Sequence, residues 1–132
     1  MKPVPMNAPA PAVIVGCGYV GQRLARQLRA EGRVVTGLVR GAESAGALRA
    51  LAVTPVQMDL DTAADVPALP TADAELYYFA PPPAEGDTDP RLRRVLAALA
   101  DALPRRIVYI STSGVYGDCA GDWVDETHPL NP

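Results

Sequence analysis

Three glycines spaced Gly16-x-Gly18-x-x-Gly21 are the residues of this chain best suited to chemistry, and that chemistry is phosphate binding. The first lets the chain turn sharply out of a strand, the second admits a pyrophosphate against bare backbone, and the third lets the next helix pack tightly on that strand. The backbone amides of Tyr19 and Val20 then open the helix and turn its positive end toward the anion. A GxGxxG alone is a weak signal, because glycine-rich turns are common; a strand before it and a helix after it make it strong. Residues 12–15 are apolar and largely β-branched, bounded by Pro11 and Gly16, and suit a strand buried on both faces. Val20, Leu24 and Leu28 then share one face of a helix that Gly32 stops.

The next candidates lie where later strands end. An acid about 20 residues past the glycines would bind the ribose 2′-hydroxyl of NAD. After a second strand over residues 33–39 this chain offers Arg40 instead, with no acid before Glu43. A guanidinium there suits the 2′-phosphate of NADP, so NADP is favoured over NAD; a plain surface arginine is the competing reading. Asp59 and Leu60 close a third strand, 53–58, and are placed to flank adenine. Pro55 within that strand indicates a sheet edge. An aromatic and apolar fourth strand, 74–80, brings Phe79, Ala80 and Pro81 to the border of the same crevice.

The elements that position these residues alternate strand and helix. Residues 44–52 carry helical spacing with Ser44 as N-cap, and 61–71, with Pro67 and Pro70, read as loop or broken helix. Asp89 and Pro90 open a helix striped by Leu92, Val95, Leu96, Leu99 and Leu103 and ended by Pro104. A fifth strand follows at 107–110. This alternation predicts an α/β fold, a doubly wound parallel sheet ordered 3-2-1-4-5, over residues 12–132 after a flexible Pro-rich leader, 1–11.

Composition narrows the function classes. With 48% hydrophobic and 20% charged residues in 132, the chain reads as one folded domain rather than a disordered one. A net charge of −3 without a basic run argues against a nucleic-acid partner, and the apolar runs are too short to span a membrane. Cys17 and Cys119 have no CxxC and no neighbouring histidine in sequence, so neither a disulfide framework nor a metal site is expected, and the cytoplasm is the natural compartment. His128 sits in a polar loop without a recognisable partner. Asp122, Asp125 and Glu126 do not match an EF-hand, and Trp123 is expected to pack a loop against the sheet.

Beyond the fifth strand stand Tyr109-Ile-Ser-Thr-Ser-Gly-Val-Tyr-Gly-Asp118 and Trp123-Val-Asp-Glu-Thr-His-Pro129. Together with the glycine loop these segments resemble the NAD(P)-dependent epimerase/dehydratase family, the extended or atypical branch of the short-chain dehydrogenase/reductases. The resemblance runs from Ala12 to the last residue. It implies a Rossmann domain followed by a substrate lobe, hydride exchange with a nicotinamide, and a substrate that is often a nucleotide sugar. It also implies that Thr112, three residues before Val115, polarises the substrate's carbonyl or hydroxyl.

That family also uses a Tyr-x-x-x-Lys pair, a tyrosine acid/base whose pKa the lysine lowers. The pair does not occur here. Tyr19, Tyr77, Tyr78, Tyr109 and Tyr116 are followed four places on by Arg23, Pro81, Pro82, Ser113 and Ala120, and the only lysine is Lys2. Two expectations follow. One is the amino-terminal portion of a longer enzyme, without its substrate lobe and with an open strand edge at 107–110 that makes self-association plausible. The alternative is a non-catalytic module whose dinucleotide state regulates a partner.

Overall fold

β1 (Ala12–Val15) is buried at all four residues, as a strand covered on both faces must be. In the computed structural model, which describes residues 8–62 and 66–132, it is the central strand of a five-stranded parallel sheet. β2 (Val35–Val39) and β3 (Thr54–Gln57) lie to one side of it, β4 (Glu75–Tyr78) and β5 (Arg106–Tyr109) to the other, in the order β3-β2-β1-β4-β5. This is the doubly wound, Rossmann-like order that the alternation of elements predicts. Pro55 falls on edge strand β3, opposite Gly37, where its missing N–H breaks no central ladder.

Side chains alternate across the sheet. Ala12 and Ile14 join Val35 and Val39 on the face covered by α1 (Tyr19–Ala30) and α2 (Ala42–Ala50), through Ala25, Leu28, Ala45 and Leu48. Val13, Val15, Leu76 and Tyr78 face the other way, onto Val95 and Leu99 of α3 (Pro90–Leu99). Gly37 of β2 is what lets α2 come so close. A Cβ there would stand 2.6 Å from Leu48 Cδ1 and 3.2 Å from Cys17 Sγ.

Several expectations shift by a turn or a face. The buried face of α1 is Gly21, Ala25 and Leu28, so Val20 is half exposed rather than part of the apolar stripe. The N-cap of α2 is Gly41, which puts Ser44 inside the first turn instead of at the cap. α3 ends at Leu99, and Leu103, beyond it, is exposed. Trp123 is fully exposed, so it does not pack its loop against the sheet. On β5, Ile107, Tyr109 and the following Ile110 are each about half exposed at the open edge. Of the leader, Met1–Asn7 fall outside the described residues, whereas the Ala10 carbonyl accepts from Arg33 Nε at 2.6 Å and the Pro11 carbonyl from the Glu75 amide at 2.9 Å.

The two ends of the sheet are chemically unlike. At the amino-terminal edge Arg33, only 8% exposed, donates to Glu75 Oε2 at 2.7 Å; the Tyr77 hydroxyl donates to the same oxygen at 2.8 Å. Arg106 stands 3.8 Å from the other carboxylate oxygen. A partly buried arginine with a shared carboxylate is a satisfied structural cluster, not a ligand site. The carboxyl edge is where the strands leave groups unpaired.

Candidate functional site

The loop Gly16–Gly18 leaves β1 with its own amides tied back. Gly16 N and Cys17 N both donate to the Leu38 carbonyl, at 3.2 and 3.1 Å, and Gly18 N donates to the Gly16 carbonyl at 2.9 Å. Gly16 adopts φ +82°, and a Cβ on it would lie 2.5 Å from Ala80 N and 2.9 Å from Phe79 C. It is therefore required twice, for its left-handed backbone and for the close passage of the chain leaving β4. Gly21, buried under the loop, would bring a Cβ to 3.2 Å from the Gly16 carbonyl and from Ile14 Cγ2.

Gly18 is different. A Cβ on it would meet nothing within 4 Å, so its bare face opens outward. Gly18 is also the N-cap of α1, and no side chain caps that helix. The first free amide that finds an acceptor is Gln22 N, on the Gly18 carbonyl. The amides of Tyr19, Val20 and Gly21 accordingly have no acceptor among the described residues, and the positive end of the helix dipole faces outward with them. An open Cβ position and uncapped amides fit a pyrophosphate, so the residues present suit a dinucleotide. The side chains of Tyr19 and Val20 themselves point to solvent, 77% and 53% exposed, with Arg23 Nη1 donating to the Tyr19 hydroxyl.

From this loop a cleft of about 340 Å³ runs along the carboxyl edge, lined by Gly16, Cys17, Gly18, Leu38, Val39, Arg40, Ser44, Met58, Leu60, Ala80, Pro81 and Arg91. It lies where β2 and β4 flank β1 and the crossovers part to opposite faces, the switch point at which such sheets take ligands. Of the residues expected at the site, Gly16, Gly18, Arg40, Leu60, Ala80 and Pro81 meet here. Asp59 and Phe79 do not line the cleft. Asp59 accepts from the Asp61 amide at 2.9 Å in a tight turn, and Phe79 packs edge-on to Tyr77, centroids 6.1 Å apart, on the α1 face. Strand alternation explains Phe79: with Tyr78 buried under α3, its neighbour points the other way. Thr112 lies past the end of β5 and is exposed; its hydroxyl accepts from Gly114 N at 3.2 Å and caps the short turn Ser113–Tyr116.

Residues that spacing did not single out complete the cleft. Ser44 lines it because α2 starts three residues earlier, at an N-cap glycine with no side-chain cap of its own. Arg91, on the first turn of α3, reaches across to both lips. Its Nε and Nη2 donate to Asp61 Oδ1 and Oδ2 at 2.6 and 2.7 Å, and its Nη1 donates to the Pro81 carbonyl at 2.8 Å. Arg94 Nη1 donates to the Leu60 carbonyl. The Arg91 guanidinium holds the Asp61 carboxyl below its usual range. Arg40, by contrast, is 69% exposed and only loosely paired, 3.9 Å from both Asp59 and Asp61. Nothing in the local sequence announces a helix residue meeting a loop thirty positions earlier.

The two cysteines also separate. Cys17 is 1% exposed beneath the glycine loop, and burial pushes its thiol up to about 11. Cys119 is partly exposed, and folding brings His128 to it after all, Sγ to Nε2 at 3.8 Å, with the imidazole edge-on to Tyr116. No cluster of three or more metal-ligating side chains occurs among the described residues, and no helix there is long and apolar enough to cross a membrane.

Fold and loop together define a Rossmann-type dinucleotide-binding domain. A family model described as NAD(P)H-binding matches residues 16–130, and the chain belongs to that family. It is 33% identical over 124 residues to the 4-hydroxy-2-methyl-3-oxo-4-farnesyl-3,4-dihydroquinoline-1-oxide ketoreductase of Stigmatella aurantiaca, a match covering 87% of this chain and 37% of the relative. It is 33% identical over 129 residues to protein YeeZ of Escherichia coli (strain K12), covering 90% and 46%. Among solved structures, a functionally unknown conserved protein from Silicibacter pomeroyi DSS superposes with a TM-score of 0.72 at 33% identity, over 94% of this chain and 42% of that one. The chain thus spans less than half the length of each of these three proteins.

Proposed function

We propose that this chain is the NADP(H)-binding portion of an epimerase/dehydratase-like oxidoreductase that works by hydride transfer. The observation that carries the reading is the open, uncapped start of α1 at Gly18, set at the switch point of the sheet. In it the amides of Tyr19, Val20 and Gly21 hold the pyrophosphate, and Leu60, Ala80 and Pro81 enclose the adenine side. Arg40, with Ser44 and the uncapped α2 start beside it, receives the 2′-phosphate. Bound there, a nicotinamide supplies or accepts a hydride at a carbonyl or carbinol carbon. Thr112 remains the candidate to orient that oxygen, supported by its place just past β5 on the same edge of the sheet. The ketoreductase relative favours a ketone as substrate, and the family resemblance a nucleotide sugar.

Calorimetric titration with NADPH and NADH, repeated on Arg40→Ala, tests the cofactor reading. The expected result is tighter NADPH binding that falls at least tenfold in the variant while NADH is little changed. Equal binding of both cofactors, unmoved by the substitution, discards the NADP preference; no binding at all to the folded chain discards the site.

A second reading is a dinucleotide-sensing module that turns nothing over. Oxidation of bound NADPH by a ketone in the presence of this protein excludes the sensor. Binding without turnover by the full-length protein, across ketone and nucleotide-sugar substrates, favours it.

A further inference from the structure

Arg40 does not meet its ligand alone. Two carboxylates, Asp59 and Asp61, stand 3.9 Å from its guanidinium, and a 2′-phosphate arriving there would be repelled by both. Asp61 is nevertheless turned to another partner. Both its oxygens are taken, at 2.6 and 2.7 Å, by Arg91, whose own third contact is the Pro81 carbonyl. The Arg91 side chain is 16% exposed against 69% for Arg40, so the pair Asp61–Arg91 is the ordered one and Arg40–Asp61 the loose one.

We propose that Arg91 sets the phosphate selectivity of this site by holding Asp61 away from Arg40, which leaves that guanidinium open to a 2′-phosphate. The inference rests on the reading of Arg40 given above and adds a residue that need not touch the phosphate. Arg91 is a positioning residue. Without it the cation left paired with Asp61 is Arg40, since Arg94 is engaged on the Leu60 carbonyl and acts on Asp61 without an ion pair, and a carboxylate drawn onto Arg40 occupies the place of the phosphate. The structural alternative is that Arg91 only ties the Asp61 loop to Pro81, the two lips of the cleft; its loss would then weaken every adenine ligand alike.

Adenosine 2′,5′-bisphosphate and AMP separate the two, because they differ only in the 2′-phosphate and require no turnover. Their dissociation constants are measured on the purified protein and on Arg91→Met, Asp61→Asn and the double variant, with Tm recorded for each. Arg91→Met, which keeps much of the aliphatic stem, is expected to lower the bisphosphate preference about tenfold. Asp61→Asn alone raises that preference about threefold, since it removes a competing charge. In the double variant the preference returns to within about twofold of Asp61→Asn, the coupling that a shared partner demands. Equal weakening of both ligands in Arg91→Met, a fall in preference in Asp61→Asn, or no rescue in the double variant overturns the proposal. Arg40→Ala keeps its failure distinct from that of the underlying reading. If Arg40→Ala leaves the preference unchanged, the reading of Arg40 itself is wrong; if it abolishes the preference while the double-variant test fails, only the role of Arg91 is.

Discussion

Gly16 and Gly18, two positions apart, carry opposite burdens, and substitution separates them. Alanine at Gly16 meets a left-handed φ and a backbone 2.5 Å away that cannot give, so Gly16→Ala is expected to lose about 3 kcal/mol or more of stability. Alanine at Gly18 meets open space, so Gly18→Ala is expected to unfold within about 1 kcal/mol of the parent yet to bind dinucleotide at least tenfold more weakly. Urea melts and a fluorescence titration of NADPH on the two variants check both. The spacing of the glycines announced a phosphate loop, and a turn at Gly16 followed from it. The contact with Ala80 did not, because it depends on how closely β4 runs beside β1, which no local window contains. Arg91 was invisible for the same reason: its partner Asp61 lies on another element, and an arginine on an exposed-looking helix turn has no signature of its own.

At the scale of elements, capping and periodicity located the helices, while their ends and buried faces were set by packing. Asp89–Pro90 begins α3 as read, and Asp89 Oδ1 accepts from the Leu92 amide at 3.0 Å. Asp89→Ala is expected to lower stability by about 1 kcal/mol and, because α3 carries Arg91, to weaken adenosine 2′,5′-bisphosphate binding as well. Thermal melts and titration of that one variant read both effects. On α1 the sequence pattern favoured Val20 as a core residue, but the glycine at 21 and the alanine at 25 let the helix approach the sheet along a smaller face. The misplaced cap of α2 has a comparable cause. Ser44 is a good cap by type, yet the chain turns at Gly41 directly after β2, and the helix starts there.

For the whole molecule, the alternation of strands and helices was enough to give the strand order, since parallel crossovers leave few arrangements. The charge cluster at the opposite edge was not legible, because Arg33, Glu75 and Arg106 come from three separate approaches to the sheet. It has a pH consequence of definite sign. The hydrogen bond from Tyr77, and then that from Arg33, hold the Glu75 carboxyl below its usual range. A depressed carboxyl stabilises fully above the unfolded value, about 4.3, and its contribution is lost as pH falls through the lowered folded value. Glu75→Gln is therefore expected to cost about 2 kcal/mol at pH 7, with the gap to the parent closing below about pH 4. Dinucleotide binding should not follow, as the cluster and the cleft occupy opposite ends of the strands. Melts across pH with a parallel binding series check the separation.

Cys17 lies directly under the glycine turn, and the vacant Cβ positions of Gly21 and Gly37 both abut its sulfur at 3.2 Å. A thiol so enclosed is a timekeeper. A water-soluble alkylating reagent attacks it only during the moments when the turn lifts from the sheet, so the labelling rate counts those excursions. Anything that seats on the turn slows the clock.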